Sequence, residues 1–169
     1  MSTHRYPLET LRADYARGAL GLVLTGAPLV ALSPHWSVAL ALAAAALLFV
    51  VFLGRTAQRH LTVVEMGNRG IVASGPLGGA IAWPDLRDLR LHYFSTRRDR
   101  TKGWMHLTLK GGGRTLKLES TITGFDDIAE RASDAARANG LALRETTVNN
   151  LIALGIEPPE SERRAAGGA

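Results

Sequence analysis

The distribution of apolar and charged positions divides the chain into two unlike parts. From Gly18 to Gly54 there is no Lys, Arg, Asp or Glu, and Arg17 and Arg55 bound the run. One helix of that length would extend roughly 55 Å, well beyond a hydrocarbon core of about 30 Å. Ser33-Pro34-His35-Trp36-Ser37 lies in the middle. A helix-breaking proline, polar residues and an interfacial aromatic there predict a turn at a membrane surface. The pattern therefore predicts a transmembrane helical hairpin over 18–55, with crossings at about 18–33 and 37–54. A soluble helix keeps a polar stripe, and neither segment has one. The first crossing is short unless the helix begins upstream near Pro7, which would make Pro28 an internal kink. A cleaved signal peptide fits less well, because a second, longer apolar run follows at once.

Residues 1–17 read as a juxtamembrane helix. Pro7 suits a first helical position, and Leu8, Leu11 and Tyr15 share a face. The segment either lies in the headgroup region or extends the first crossing.

Beyond Arg55 the period changes to two, predicting six short strands over 56–145. These are His60–Met66, Ile71–Ala73, Ala80–Trp83, Leu86–Phe94, Trp104–Lys110 and Arg114–Ser120, with turns at Gly67–Gly70, Gly75–Gly79 and Gly111–Gly113. Leu89, Leu91 and Tyr93 alternate with Arg90, His92 and Phe94, and Met105, Leu107 and Leu109 with His106, Thr108 and Lys110. Such alternation means a sheet with one buried face. A helix then closes the unit: Thr123 is placed to cap it, Phe125, Ile128, Ala129, Ala132 and Ala136 form its apolar stripe, and Asn139-Gly140 stops it. A short helix follows within 146–156, over Thr147–Leu154, and the charged, small-residue segment 157–169 reads as a disordered tail.

This order of short antiparallel strands and one closing helix resembles the pleckstrin-homology-like (PH-like) superfold. It is most similar to the bacterial PH-like domains of small membrane-anchored proteins. The resemblance rests on the turn Gly67–Gly70, on Ile81-Ala82-Trp83-Pro84-Asp85-Leu86 entering a long strand, and on the closing segment from Ser120 to Ile128. It covers about residues 58–143 and implies an α+β chain. In that chain the transmembrane hairpin stands ahead of a PH-like antiparallel β-barrel or sandwich, capped by a C-terminal helix. It also implies a seventh strand, short or hidden within Leu86–Phe94.

Composition and charge refine this picture. Mean hydropathy is only +0.04, so the remainder of the chain is polar and a multi-span transporter is excluded. There is no cysteine, which removes disulfides, thiolate metal sites and thiol nucleophiles. Arg5, Arg12, Arg17, Arg55 and Arg59 flank the hairpin, and its connecting loop has no cation. That asymmetry predicts both termini and the PH-like domain on the cytoplasmic side, here of a bacterial inner membrane.

Candidate chemistry is sparse. No phosphate-binding loop or catalytic triad pattern is present, and no carboxylate is spaced to join His92 and His106 at a metal. No enzyme, cofactor or metal site is therefore expected. One stretch stands out. Between Arg87 and Lys102 the chain carries Arg87, Arg90, Arg97, Arg98, Arg100 and Lys102 against Asp88 and Asp99, with Phe94 and Trp104 flanking the loop. Near a negative leaflet each such cation contributes about 1 kcal/mol, so these cations and Trp104 are candidate contacts for anionic lipid or a partner. The competing reading is a solvated hairpin. Nucleic acid is not expected. Two functions follow: a membrane-anchored binding or scaffold protein contacting membrane lipids or a protein partner, or an accessory subunit of a larger complex. In the second, Gly21, Gly26 and Ala43–Ala46 would pack the hairpin against another membrane protein or a second copy.

Overall fold

A computed structural model describes residues 1–76, 78–96 and 99–159, and the side chains of all of these except 96 and 99–102. The fold is α+β. In chain order the elements are β1 (Ser2–Arg5), α1 (Leu8–Ala31), α2 (Trp36–His60), β2 (Val63–Met66), β3 (Gly70–Ser74), β4 (Gly79–Ala82), a 3-10 turn (Trp83–Asp85), β5 (Leu86–Thr96), β6 (Asp99–Gly111), β7 (Arg114–Glu119), α3 (Phe125–Ala138) and α4 (Glu145–Ala153). They form two compact units: Tyr6–Thr62, and Met1–Arg5 together with the chain from Val63 onward.

In the helical unit α1 and α2 pack antiparallel. A Cβ on Gly18 would lie 2.6 Å from Leu53 Cδ2, and one on Gly21 would run into the Phe49 ring, so both glycines let the backbones approach. The charged end of the pair is tied by Asp14, whose carboxylate faces Arg17 at 3.4 Å and Arg59 at 3.9 Å. The Tyr15 and His60 rings meet edge-on at 6.0 Å. Pro28 lies inside α1, about a turn from its end, and its missing N–H leaves the Leu24 carbonyl without its intrahelical donor. α2 reaches His60, so the strand expected to begin there starts at Val63. Among the described residues α2 is the one helix long and apolar enough to cross a membrane, with a mean hydropathy of 2.6 and nothing in that window buried.

Among the described residues the other unit contains seven strands. The one missing from the sequence reading is β1, where helix was expected, and the stretch from Leu86 onward is a single strand. β1 pairs antiparallel with β2, Arg5 opposite Val63, in a sheet ordered β1-β2-β3-β4. The helical pair is thus an excursion between two neighbouring strands, not a segment placed ahead of the sheet. Among the described residues β5-β6-β7 form a second sheet separate from the first, so of the expected barrel or sandwich the closed barrel is not what forms. Pro84 has no N–H to donate to a ladder, and the 3-10 turn takes the chain out of the first sheet. The turn is held on several sides. The Trp83 indole N–H donates to the Gly67 carbonyl at 2.8 Å, and the Asn139 side-chain amide donates to the carbonyls of Trp83 (2.7 Å) and Leu86 (3.0 Å).

Leu89, Leu91, Leu107, Leu109, Leu116 and Leu118 are buried on one face of the second sheet, where α3 and α4 pack on β5 and bring Ile128, Ala132 and Leu151 into the core. α3 begins at Gly124, which has φ 63 and accepts the Ile128 N–H through its carbonyl. Thr123 is not the expected cap: its hydroxyl and backbone N–H both bond Arg5 of β1. α4 ends at Gly155 in the left-handed region (φ 76), with the Ile156 N–H returning to the Leu151 carbonyl. Of the expected tail, Pro159 is buried, and residues 160–169 lie outside the described residues.

Candidate functional site

The outer face of β5-β6-β7 follows from two facts, strand alternation and register. Gly112 and Gly113, both at positive φ, close a two-residue hairpin that sets Gly111 opposite Arg114. Counting back, Lys110 faces Thr115, Thr108 faces Lys117, and His106 faces Glu119. The β5–β6 register adds Asp88 opposite Lys110, Arg90 opposite Thr108, His92 opposite His106 and Phe94 opposite Trp104. The side chains of alternate residues therefore stand in four rows about 7 Å apart. They are Asp88–Lys110–Thr115, Arg90–Thr108–Lys117, His92–His106–Glu119, and Phe94–Trp104.

The aromatic end is ordered by ring contacts. Phe94 and Trp104 stack at 6.1 Å and 20°, and Phe94 also meets His92 (6.3 Å) and His106 (4.9 Å). Both large rings remain partly exposed, Phe94 at 43% and Trp104 at 39%. The Trp104 indole N–H donates to His106 Nε2 at 3.0 Å, which sets the neutral ring as the Nδ1–H tautomer. Glu119 Oε1 lies 3.7 Å from the same nitrogen, a carboxylate that sequence spacing alone did not bring to the histidines. No group of three His, Asp or Glu able to hold a metal occurs among the described residues.

The cationic end surrounds a depression of about 730 Å³ lined by Arg90, His92, Thr108, Lys110, Thr115 and Lys117. One oxygen of Asp88 serves two cations, at 2.9 Å from Arg90 Nη2 and 3.6 Å from Lys110 Nζ. Arg90 Nε is buried with no hydrogen-bond partner among the described residues, a group that normally demands one. A second groove, beside Trp83, has its Arg131 guanidinium stacked over the indole at 5.9 Å and a carboxylate, Asp134, in its wall. The sheet face is the more cationic surface.

Of the expected contact residues, Arg90 and Trp104 lie on this face, at its two ends. Arg87 is the extra residue of a bulge between Leu86 and Asp88 and belongs to no row. Arg97 and Arg98 lie outside the described residues, as do the side chains of Arg100 and Lys102. Sequence reasoning missed Thr108, Lys110, Thr115 and Lys117 as partners of Arg90. The signal for β7 was available in the Gly112-Gly113 hairpin, whose length fixes which residues of β6 and β7 stand side by side. Comparison with protein-family models, curated proteins and solved structures yields no match.

Proposed function

We propose that this chain is a membrane-anchored binding module of PH-like architecture. In this reading α1 and α2 form a transmembrane hairpin, and the outer face of β5-β6-β7 contacts anionic lipid headgroups on the cytoplasmic side. Seven antiparallel strands followed by α3 are the elements that the PH-like resemblance implies, with the anchor inserted after the first strand. The observation carrying the anchor is the unburied apolar surface of α2, whose charge-free part from Trp36 to Gly54 spans about 28 Å, close to one hydrocarbon thickness.

The pairing of β1 with β2 bears on the number of crossings. A single crossing by α2 would put β1 and β2 on opposite sides of the bilayer, yet they are neighbours in one sheet. If α2 spans, α1 spans too. The charge-free part of α1 is shorter, about 21 Å over residues 18–31, so Arg17, paired with Asp14, would reach the headgroups by extending its stem. The cations before and after the pair support a cytoplasmic location for both ends.

The accessory-subunit reading keeps one element of support. A Cβ on Gly26 would meet nothing within 4 Å, so that position is open to a neighbouring helix, whereas Gly21 is already packed against Phe49.

The chain has no cysteine, so single cysteines at Ser2, Ser37 and Glu157 report topology directly. Membrane-impermeant maleimide should label Ser37→Cys from outside intact cells. Ser2→Cys and Glu157→Cys should react only after permeabilisation, and the protein should resist alkaline carbonate extraction. Release into the carbonate supernatant, or labelling of Ser2→Cys and Glu157→Cys from opposite sides, would overturn the anchor.

A further inference from the structure

We infer that the depression around Arg90 is a binding site for a phosphate monoester. Three cations, Arg90, Lys110 and Lys117, line it, and among the described residues the one carboxylate in an ion pair with any of them is Asp88, which bridges the first two. The local balance is therefore two positive charges. A phosphate monoester carries −1.5 to −2 near neutral pH and three acceptor oxygens, whereas a diester carries a single charge. Thr108 and Thr115 supply hydroxyl donors between the cations. Arg90 Nε is buried with no partner among the described residues, so the guanidinium is held in place at the floor of the row by its Asp88 contact. Charged acceptors make stronger hydrogen bonds than neutral ones, so a phosphate oxygen suits the accessible ammonium groups of Lys110 and Lys117.

The cup is also pre-set. Its residues come from three consecutive strands whose register is pinned by the Gly112-Gly113 hairpin, with a buried leucine face beneath them. Little ordering is left for the ligand to induce, which favours affinity. The assignment deepens the lipid-contact reading and rests on it for the source of the phosphate, a monoester headgroup, while the cup's chemistry would equally accept free phosphate.

Full-length protein is prepared in neutral detergent micelles and in nanodiscs of phosphatidylcholine. The readout is the amide NMR shifts of Thr108, Thr115 and Lys117. Inorganic phosphate should move these signals saturably in micelles, with chloride at equal ionic strength leaving them in place. Lys117→Glu, at an exposed position, should weaken phosphate at least tenfold, and Thr108→Val several-fold. Nanodiscs containing phosphatidic acid should reproduce the shifts, and those containing the diester phosphatidylglycerol should do so much more weakly. Absence of shifts with both inorganic phosphate and phosphatidic acid would overturn the site. Equal responses to the two anionic lipids would overturn its monoester preference. Response to inorganic phosphate alone supports the cup and removes the headgroup as its source, which counts against the lipid reading separately. Tighter binding of a short single-stranded oligonucleotide than of phosphatidic acid would reassign the face, because the Phe94–Trp104 row would then be stacking bases.

Discussion

The free edge of β5 offers a test of how the second sheet is closed off. Among the described residues β5 pairs with β6 on one side only, and an unpaired strand edge invites association with other chains. α4 covers it at Leu91. The Leu91 N–H donates to Thr147 Oγ1 at 3.4 Å, and the Leu91 carbonyl accepts from Asn150 Nδ2 at 2.8 Å. Leu91 and Thr147 are fully buried, so water cannot replace either partner. Thr147→Val keeps the volume and removes only the acceptor. A buried donor left without a partner costs about 1–3 kcal/mol. The existing bond is longer than the usual 2.7–3.2 Å, so the low end applies, about 1 kcal/mol. Asn150→Ala breaks the shorter bond and should cost about 1–2 kcal/mol.

The assay is native-state hydrogen exchange on the full chain in detergent, with thermal unfolding followed by near-UV dichroism. A loss of about 1 kcal/mol corresponds to roughly fivefold faster exchange where opening is global. Thr147→Ser is the control, since it loses a methyl and keeps the hydroxyl. The reasoning predicts Val to be worse than Ser for exchange at Leu91. If Val matches the parent while Ser is destabilised, Thr147 acts by packing alone and the edge-capping account fails.

Two further outcomes follow from the packing. Gly21→Leu should destabilise the helical pair by about 1–3 kcal/mol through overpacking on Phe49, whereas Gly26→Leu should leave thermal unfolding unchanged. Loss of a co-purifying membrane partner on Gly26→Leu would favour the accessory-subunit reading. Deleting Ser2–Arg5 removes β1 together with the three hydrogen bonds of His4 and Arg5 to Thr123. At about 1 kcal/mol each this amounts to about 3 kcal/mol, measurable as a lower unfolding midpoint with the helical signal of α1 and α2 retained.

What could be read from the sequence was what depends on local period. β2 to β7 were visible because solvent on one face imposes alternation, and α3 because its apolar stripe repeats at helical spacing. α4 was placed within two residues at its N-terminal end and one at its C-terminal end. β1 was not legible: Ser-Thr-His-Arg shows no apolar alternation, only His4 within it is buried, and its partner strand lies beyond two helices. Thr123 was misread for a related reason, since its hydroxyl is committed to Arg5, a residue far away in the chain. The candidate site was half legible. Charge density pointed to Arg87–Lys102, of which Arg97 and Arg98 and the side chains of Arg100 and Lys102 lie outside the described residues, whereas the grouping of Arg90 with Lys110 and Lys117 depends on cross-strand register.

That distant strand also gives the helical pair a role in folding. Setting Arg5 opposite Val63 closes residues 6–62 into a loop, which for a flexible chain costs about 3.6 kcal/mol, comparable to what β1 gains at Thr123. A flexible connection would therefore leave β1 near the margin of docking. The connection is not flexible. α1 and α2 run antiparallel with Asp14 held by Arg59 and Tyr15 against His60, so helix packing by itself holds the loop's two ends together. Only Tyr6–Pro7 and Leu61–Thr62 remain as connecting residues, and β1–β2 becomes energetically comparable to a tight hairpin. Loosening the helices should then free β1 selectively: in Gly21→Leu, exchange should rise in Ser2–Arg5 and stay unchanged in β5-β6-β7. Uniform acceleration across both sheets would show instead that the strands and helices unfold as one unit.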